Sequence, residues 1–524
     1  MAFFMIFTGL DDSVLQIDEG ADTFVSTTIL KSGVPMHSDG VNHTMLYADL
    51  FDGVFVYRTW IPYYLQSLSL YFLGTNTFAA RLPFALGGLF SVWGLYHLAI
   101  RLSQQKSIAI LAATFLATCV TALLYFRTSR YIALPILLTP ITLILYIKIF
   151  ENKKWDCIPL TIVSIIFFHT MFVEFAGLII GMLIHLFIYR KEVTPEKFKQ
   201  AKISAAITAL FCLPWLSFIP GISKRVSEVY TMASPYVDTS PLGYAKHFAG
   251  FLFQLNNYLF PLILLPFLFL GPFKTFGRQV SLLLLCIFFI LLTGSLHSIP
   301  LFQYVSASIP ILLILLAWTT VHLFKRSIIQ QIIFASILIF SNLAHVGLLI
   351  PIKALITEHP EWFQKNLYLQ HAYGSFIREV KIKSVYFEYL YELTHTYRGP
   401  LDVVVDFFKV HGRPSDSCYI DSEFESLAFY TGMKMIGNHD LSQRPPDWIV
   451  LRGKDRPFEK SEKISPEARN VKEVLQASAY TRIELDAPAI WVNNTYDIQI
   501  HEFRSPSSVD KVIVYQRTDY SSSR

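Results

Sequence analysis

From Met1 to about residue 350 the chain is a succession of apolar runs parted by short polar breaks; beyond Glu358 charges are spread throughout. A spanning helix needs about 20 mostly apolar residues. On that scale residues 82–100, 108–126, 132–150, 157–168, 171–189, 203–219, 258–271, 280–294, 305–323 and 328–350 read as spans. With a stub at residues 1–10 they make about eleven. The segments 157–168 and 171–189 meet in a tight turn. Residues 60–74 are amphipathic and broken by Pro62, which places them along the membrane interface. The pattern predicts an α-helical polytopic membrane domain over residues 1–350, with a large first outer loop at 11–81. A soluble α/β domain follows over residues 351–524.

In that second region short apolar runs (CYID, DWIVLRG, VIVYQR) alternate with a helical one, and Gly432 and Gly437 supply stops. It holds no phosphate-cradling glycine loop, no GxSxG elbow and no paired metal ligands. The reading gives it no active site of its own and leaves acceptor recognition or covering of the membrane cavity as its role.

Composition agrees with a bilayer as solvent: 53% of the 524 residues are hydrophobic, 16% are charged, and mean hydropathy is +0.43. Ordinary soluble domains carry about a quarter charged residues. The net charge of +5 matters less than its distribution. Lysines and arginines gather in alternate breaks, at 101–106, 148–154, 190–202, 274–278 and 325–326, which the positive-inside rule assigns to the cytoplasm. The opposite breaks, 11–81, 127–131, 169–170, 220–257 and 295–304, then face outward with the C-terminal domain, in a plasma (inner) membrane. The basic residues form no stripe suited to nucleic acid. The first ten residues lack a basic n-region and no cleavage site follows, so they do not read as a signal peptide.

Chemistry concentrates on the outer side. Asp18 and Glu19 follow directly on the first apolar segment, where a carboxylate can take the proton of an incoming acceptor hydroxyl. Arg58 opens the interfacial run at the depth of a lipid phosphate. Arg127 and Arg130 stand at an outer membrane boundary, where the positive-inside rule argues against a mere anchor. Fixed guanidiniums there stabilise phosphate charge. His169 with Glu174 reads as a metal or sugar contact, or equally as a helix-to-helix hydrogen bond. His297, Gln303 and Tyr304 read either as lining of the donor groove or, the commoner case at an interface, as belt residues. The loop 220–257, with Lys224 and Arg225, suits a flexible cover over the site or, equally, an inert connector.

Three stretches carry a resemblance: IDEGADTFVSTTILKSG, FVYRTWIPYYLQSLSLYFLGTNTFAARLPFALGG and FRTSRYIALP. HSIPLFQYVSASIP adds to it more loosely. The pattern resembles the GT-C glycosyltransferases that use polyprenyl-phosphate sugars, among them aminoarabinose transferases of lipid A and protein O-mannosyltransferases. The resemblance implies that the acidic pair Asp18 and Glu19 contains the catalytic carboxylate, Asp18. It implies that Arg58 engages the donor phosphate and that Arg81 leads into the next span; Arg127 and Arg130 are expected to bind the donor phosphate from their boundary position. Tyr57, Arg81, His169, Glu174 and Tyr304 are the further substrate contacts expected. The chain has Leu134-Pro135 where aminoarabinose transferases carry an aspartate before proline, and Tyr57-Arg58 where they carry an acidic residue and a lysine. The sugar and the acceptor (lipid, glycan or protein) stay open. No cofactor is implied beyond the lipid-linked donor, and a divalent metal is left open. A transporter or flippase, or a non-catalytic scaffold for lipid-linked sugars, is the alternative reading.

Overall fold

The computed structural model describes residues 1–44, 53–151, 155–221, 240–268, 277–297, 301–343, 383–395, 398–441, 445–452, 466–490, 493–498, 501–504 and 510–518. Lys224, Arg225 and the boundary expected at residue 350 lie outside them.

The architecture is mostly helical with a small C-terminal sheet. The stub forms a short helix, α1 (Ala2–Phe7). A helix not expected in the first loop, α2 (Ile17–Ser32), follows it, and the interfacial run becomes α3 (Ile61–Leu73). Then come α4 (Thr77–Ser103), α5 (Lys106–Thr118), α6 (Val120–Phe126), α7 (Ala133–Ile147), α8 (Ile158–Phe168), α9 (Phe172–Ile188) and α10 (Pro195–Leu216). The helical part closes with α11 (Pro241–Tyr258), α12 (Gly277–Ser295), α13 (Ser308–Leu323) and α14 (Ile328–Phe340).

Among the described residues three helical stretches are long and apolar enough to cross a membrane: Thr77–Ser103, Ala133–Phe150 and Gly277–Ser295. The run at 108–126, read as one span, is instead two helices bent by 65°. Cys119 is extended at the break, and the Thr121 hydroxyl donates to the Tyr258 carbonyl across the bundle. Counted as one span, the pair brings the number to four. Four further apolar helices, α8, α9, α13 and α14, are shorter. At 258–271 the described part holds only a helical turn, Leu265–Leu268, and the long helix lies just before it as α11.

Helix contacts follow membrane rules, in which small residues let backbones approach. Gly177 and Gly181 lie one turn apart on α9, against α12. A Cβ on Gly177 would come within 2.5 Å of Ile290 Cα, and one on Gly181 within 2.8 Å of Cys286 Cα. Outward faces stay apolar: Leu68, Tyr71 and Phe72 on α3 are exposed, as are Ile329, Ile332 and Ile333 on α14.

The C-terminal part begins with α15 (Val385–Thr394) and α16 (Pro400–His411). It continues through β1 (Ser417–Ile420), α17 (Phe424–Thr431), β2 (Lys434–Met435), β3 (Trp448–Leu451), α18 (Pro466–Ala477), β4 (Tyr480–Pro488) and β5 (Lys511–Arg517). The sheet order is β2-β1-β3-β5-β4, parallel at β2-β1-β3 and antiparallel beyond. Val404 and Phe408 of α16 pack on Trp448 and Val450, while Val471 and Val474 of α18 pack on Ile449 and Leu451. With both faces covered, all four β3 residues are buried, which explains their unbroken apolar pattern.

This part is clamped onto α2 and the turn before it. Val14 N–H donates to Asp402 (2.8 Å), Leu15 N–H to Tyr430 Oη (2.9 Å) and Ile17 N–H to Glu423 Oε1 (3.1 Å). Asn42 accepts from Met435 N–H and donates to the Met433 carbonyl. Gly20 is the contact point, since a Cβ there would sit 1.9 Å from Ser426 Oγ and 2.9 Å from its Cα. Backbone atoms cannot yield as a side-chain tip can, so overpacking here costs about 1–3 kcal/mol. Gly20→Ala is therefore expected to lower the unfolding midpoint in detergent and to speed proteolytic release of the C-terminal part. Unchanged proteolysis would show that this docking tolerates the extra methyl.

Candidate functional site

Helix α2 begins where the Gln16 N–H donates to Glu19 (3.2 Å) and ends at Gly33, whose φ of 77° suits a left-handed cap. Inside it, Asp18 and Asp22 are four residues apart and so lie on one face. Two adjacent carboxylates repel, and the fold answers with two guanidiniums. Arg130, in the turn between α6 and α7, pairs with Asp18 and reaches Asp22 Oδ2 at 3.1 Å. Arg58, just before α3, pairs with Asp22, which also accepts from Tyr63 Oη at 2.9 Å. The Arg130 side chain is 0% exposed and that of Asp18 is 37% exposed, so the carboxylate faces the cleft and the guanidinium stands behind it.

The cleft is lined by Asp18, Asp22, Tyr57, Arg58, Gln303 and Tyr304, with His297 at its rim. Burial pushes the Asp18 carboxyl upward, but Arg130, then Arg58, and a hydrogen bond from Tyr496 (2.8 Å) outweigh it and hold it below the ordinary aspartate value. Asp18 is thus ionised at neutral pH. Its charge is lost only as the pH falls through a value below 3.8.

The remaining expected residues are placed differently. Glu19 points away from Asp18 into a buried bidentate pair with Arg81 (2.8 and 2.9 Å) and accepts from Ser129 N–H. Arg81 also donates to the carbonyls of Leu10, Ser13 and Val14, so this pair fastens the α1–α2 turn. Arg127 donates to the carbonyls of Ile6, Thr8 and Gly9, capping the end of α1 rather than facing the cleft. Glu174 is buried and accepts from Ser306 Oγ (3.0 Å) and Ala307 N–H (2.8 Å) at the start of α13. The His169 ring faces the Phe211 carbonyl and the edge of Trp215, while its neighbours Thr170 and Met171 line the cleft. Among the described residues no group of three or more His, Cys, Asp or Glu side chains could hold a metal ion.

Asp22, Tyr63 and Tyr496 were not anticipated. Asp22 becomes visible once α2 is known to be a helix, because it stands one turn from Asp18. Tyr496 lies 478 residues from Asp18 in sequence, and no local pattern announces it.

Compared with solved structures, the chain is similar to ArnT from Cupriavidus metallidurans in the apo state, with a TM-score of 0.54 over 97% of this chain and 95% of that one, at 13% identity. The same protein bound to undecaprenyl phosphate gives 0.52 over 99% and 97%, at 14% identity. The chain has a GT-C fold. No protein-family model and no curated protein sequence matches it. The likeness spans nearly the whole length, the C-terminal part included.

Removing Arg130 leaves two neighbouring carboxylates with a single guanidinium, and breaking a buried pair such as Arg130–Asp22 costs about 3–5 kcal/mol. Arg130→Gln is expected to lower the unfolding midpoint in detergent strongly, and a second change, Asp22→Asn, to restore part of it. A silent Arg130→Gln would mean that the network does not hold the site together.

Proposed function

We propose that the protein is a membrane glycosyltransferase that moves a sugar from a polyprenyl phosphate to a hydroxyl of a lipid, glycan or protein acceptor. The observation that carries this reading is the single cleft onto which the Asp18 carboxylate and the Arg58 guanidinium both open. It lies beside α3, whose exposed Leu68, Tyr71 and Phe72 suit a lipid interface. The fold supports the reading, since ArnT of the same fold has been seen with undecaprenyl phosphate.

In this proposal the donor phosphate sits at Arg58 with its chain in the bilayer. The acceptor oxygen attacks the anomeric carbon from the face opposite the phosphate. The bond from that carbon to the phosphate oxygen breaks, polyprenyl phosphate leaves with the electron pair, and Asp18 takes the acceptor proton. A single displacement inverts the anomeric centre. A weakly basic carboxylate suffices, because the attacking hydroxyl becomes acidic as the new bond forms. Arg58 balances the charge that grows on the leaving phosphate. Arg130 is enclosed and holds Asp18 and Asp22 in place rather than touching donor.

The reading includes about eleven spans in a plasma (inner) membrane, with the C-terminal domain and the cleft on the outer side. Its support is the alternation of basic and acidic breaks along the sequence.

Transfer by purified protein from a panel of radiolabelled polyprenyl-phosphate sugars tests it. Asp18→Asn is expected to lower transfer by about 10²–10⁴-fold with donor binding retained. Arg58→Ala is expected to weaken donor binding instead. Donor movement across vesicles without transfer would favour a flippase and overturn the reading.

A further inference from the structure

Tyr496 belongs by sequence to the C-terminal part, yet its side chain is buried in the core of the helical part, together with that of Ile498. Its ring lies 5.2 Å from the Arg130 guanidinium and 6.0 Å from the Tyr125 ring. Its hydroxyl is 2.8 Å from Asp18 Oδ2 and 3.0 Å from Gln303 Oε1, and both partners line the cleft. The phenol has one proton to give, and the charged acceptor takes it. A tyrosine buried only for packing has no need of two partners in the functional cleft.

The segment is held firmly. Asn493 N–H lies 3.2 Å from both oxygens of Glu423, and the Asn493 side chain bonds Asp402 and Leu401 N–H. Glu423 Oε1 also accepts from Ile17 N–H at 3.1 Å. One buried carboxylate, itself paired with Arg452, therefore sets both the residue before Asp18 and the strand of chain that delivers Tyr496.

We propose that Tyr496 is a positioning residue, by which the C-terminal part holds the Asp18 carboxylate toward the cleft. This rests on the reading of Asp18 as the base. Among the described residues the charged and titratable groups around Asp18 are Arg130 and Tyr131 from the α6–α7 turn, Tyr57 and Arg58 from before α3, Tyr63 on α3, Asp22 one turn along α2, and Tyr304 and His297 of the cleft lining. Arg130 and Arg58 among these, together with the Tyr496 hydroxyl, favour the ionised form of Asp18. Losing the hydroxyl alone must raise its titration midpoint.

The test is Tyr496→Phe, which keeps the ring and its contacts. Difference infrared titration of the full protein in detergent, with Asp18→Asn to assign the band, reads the Asp18 midpoint directly. It is expected to rise by about one pH unit in Tyr496→Phe. The acid limb of transfer should rise with it, and kcat should fall by about tenfold at unchanged donor KM. Should Tyr496→Phe fail to fold, 3,5-difluorotyrosine at position 496 gives a stronger donor and is expected to move the midpoint the other way. A midpoint that neither change moves overturns the proposal. If the wild type transfers no sugar, the functional reading fails, and the infrared midpoint still decides the role of Tyr496.

Discussion

Two carboxylates on one helical face, Asp18 and Asp22, cannot share a poorly solvated cleft unless cations meet both. The structure meets them with Arg130 from behind and Arg58 from the side. Much of the surrounding architecture follows from that need. The α6–α7 turn must bring Arg130 under α2, and α3 must begin where Arg58 reaches Asp22. Tyr63, on the first turn of α3, completes the coordination of Asp22. The second pair, Glu19 with Arg81, does parallel work one step around the helix. It fastens α2 to the start of α4 and to the end of the α1 turn. Asymmetry of exposure separates the roles: Asp18 and Arg58 open onto the cleft, Asp22 lines it but is nearly enclosed, and Arg130 is fully enclosed.

The C-terminal part takes its place in the same scheme. It presents the Glu423 carboxylate to Ile17 N–H at the beginning of α2, where a helix leaves donors without internal partners, and the Asp402 carboxylate to Val14 N–H in the turn before it. It also closes on Gly20, which only a residue without a side chain allows. The C-terminal part fixes the helix that carries Asp18 and Asp22, and delivers Tyr496.

The long helices Thr77–Ser103, Ala133–Phe150 and Gly277–Ser295, and the existence of α3, were readable because burial in lipid demands continuous apolar sequence. Asp18 and Arg58 were readable from their position at the edges of such runs. The helical state of residues 17–32 was not, since its sequence is short in apolar periodicity and its stability comes from docking rather than from an amphipathic stripe. That one omission hid Asp22. It also left Glu19 and Asp18 looking like equals, although a helix turns adjacent residues about 100° apart. Arg127 and Arg130 likewise looked alike in a linear motif. Three residues of turn send one to the carbonyls of α1 and the other to Asp18. The break at Cys119 and the helix Pro241–Tyr258 were obscured because hydropathy reports solvent preference, not direction.

The central claim is that this cleft is built to hold a lipid-linked phosphate beside an ionised carboxylate. An experimental structure of the protein with undecaprenyl phosphate tests it most directly. The expected result is a phosphate within hydrogen-bond distance of Arg58 and an isoprenoid chain leaving along α3 toward the bilayer, with Asp18 facing the space left for the sugar. A phosphate bound elsewhere, with the Arg58–Asp22 pair intact and the cleft empty, would contradict the account.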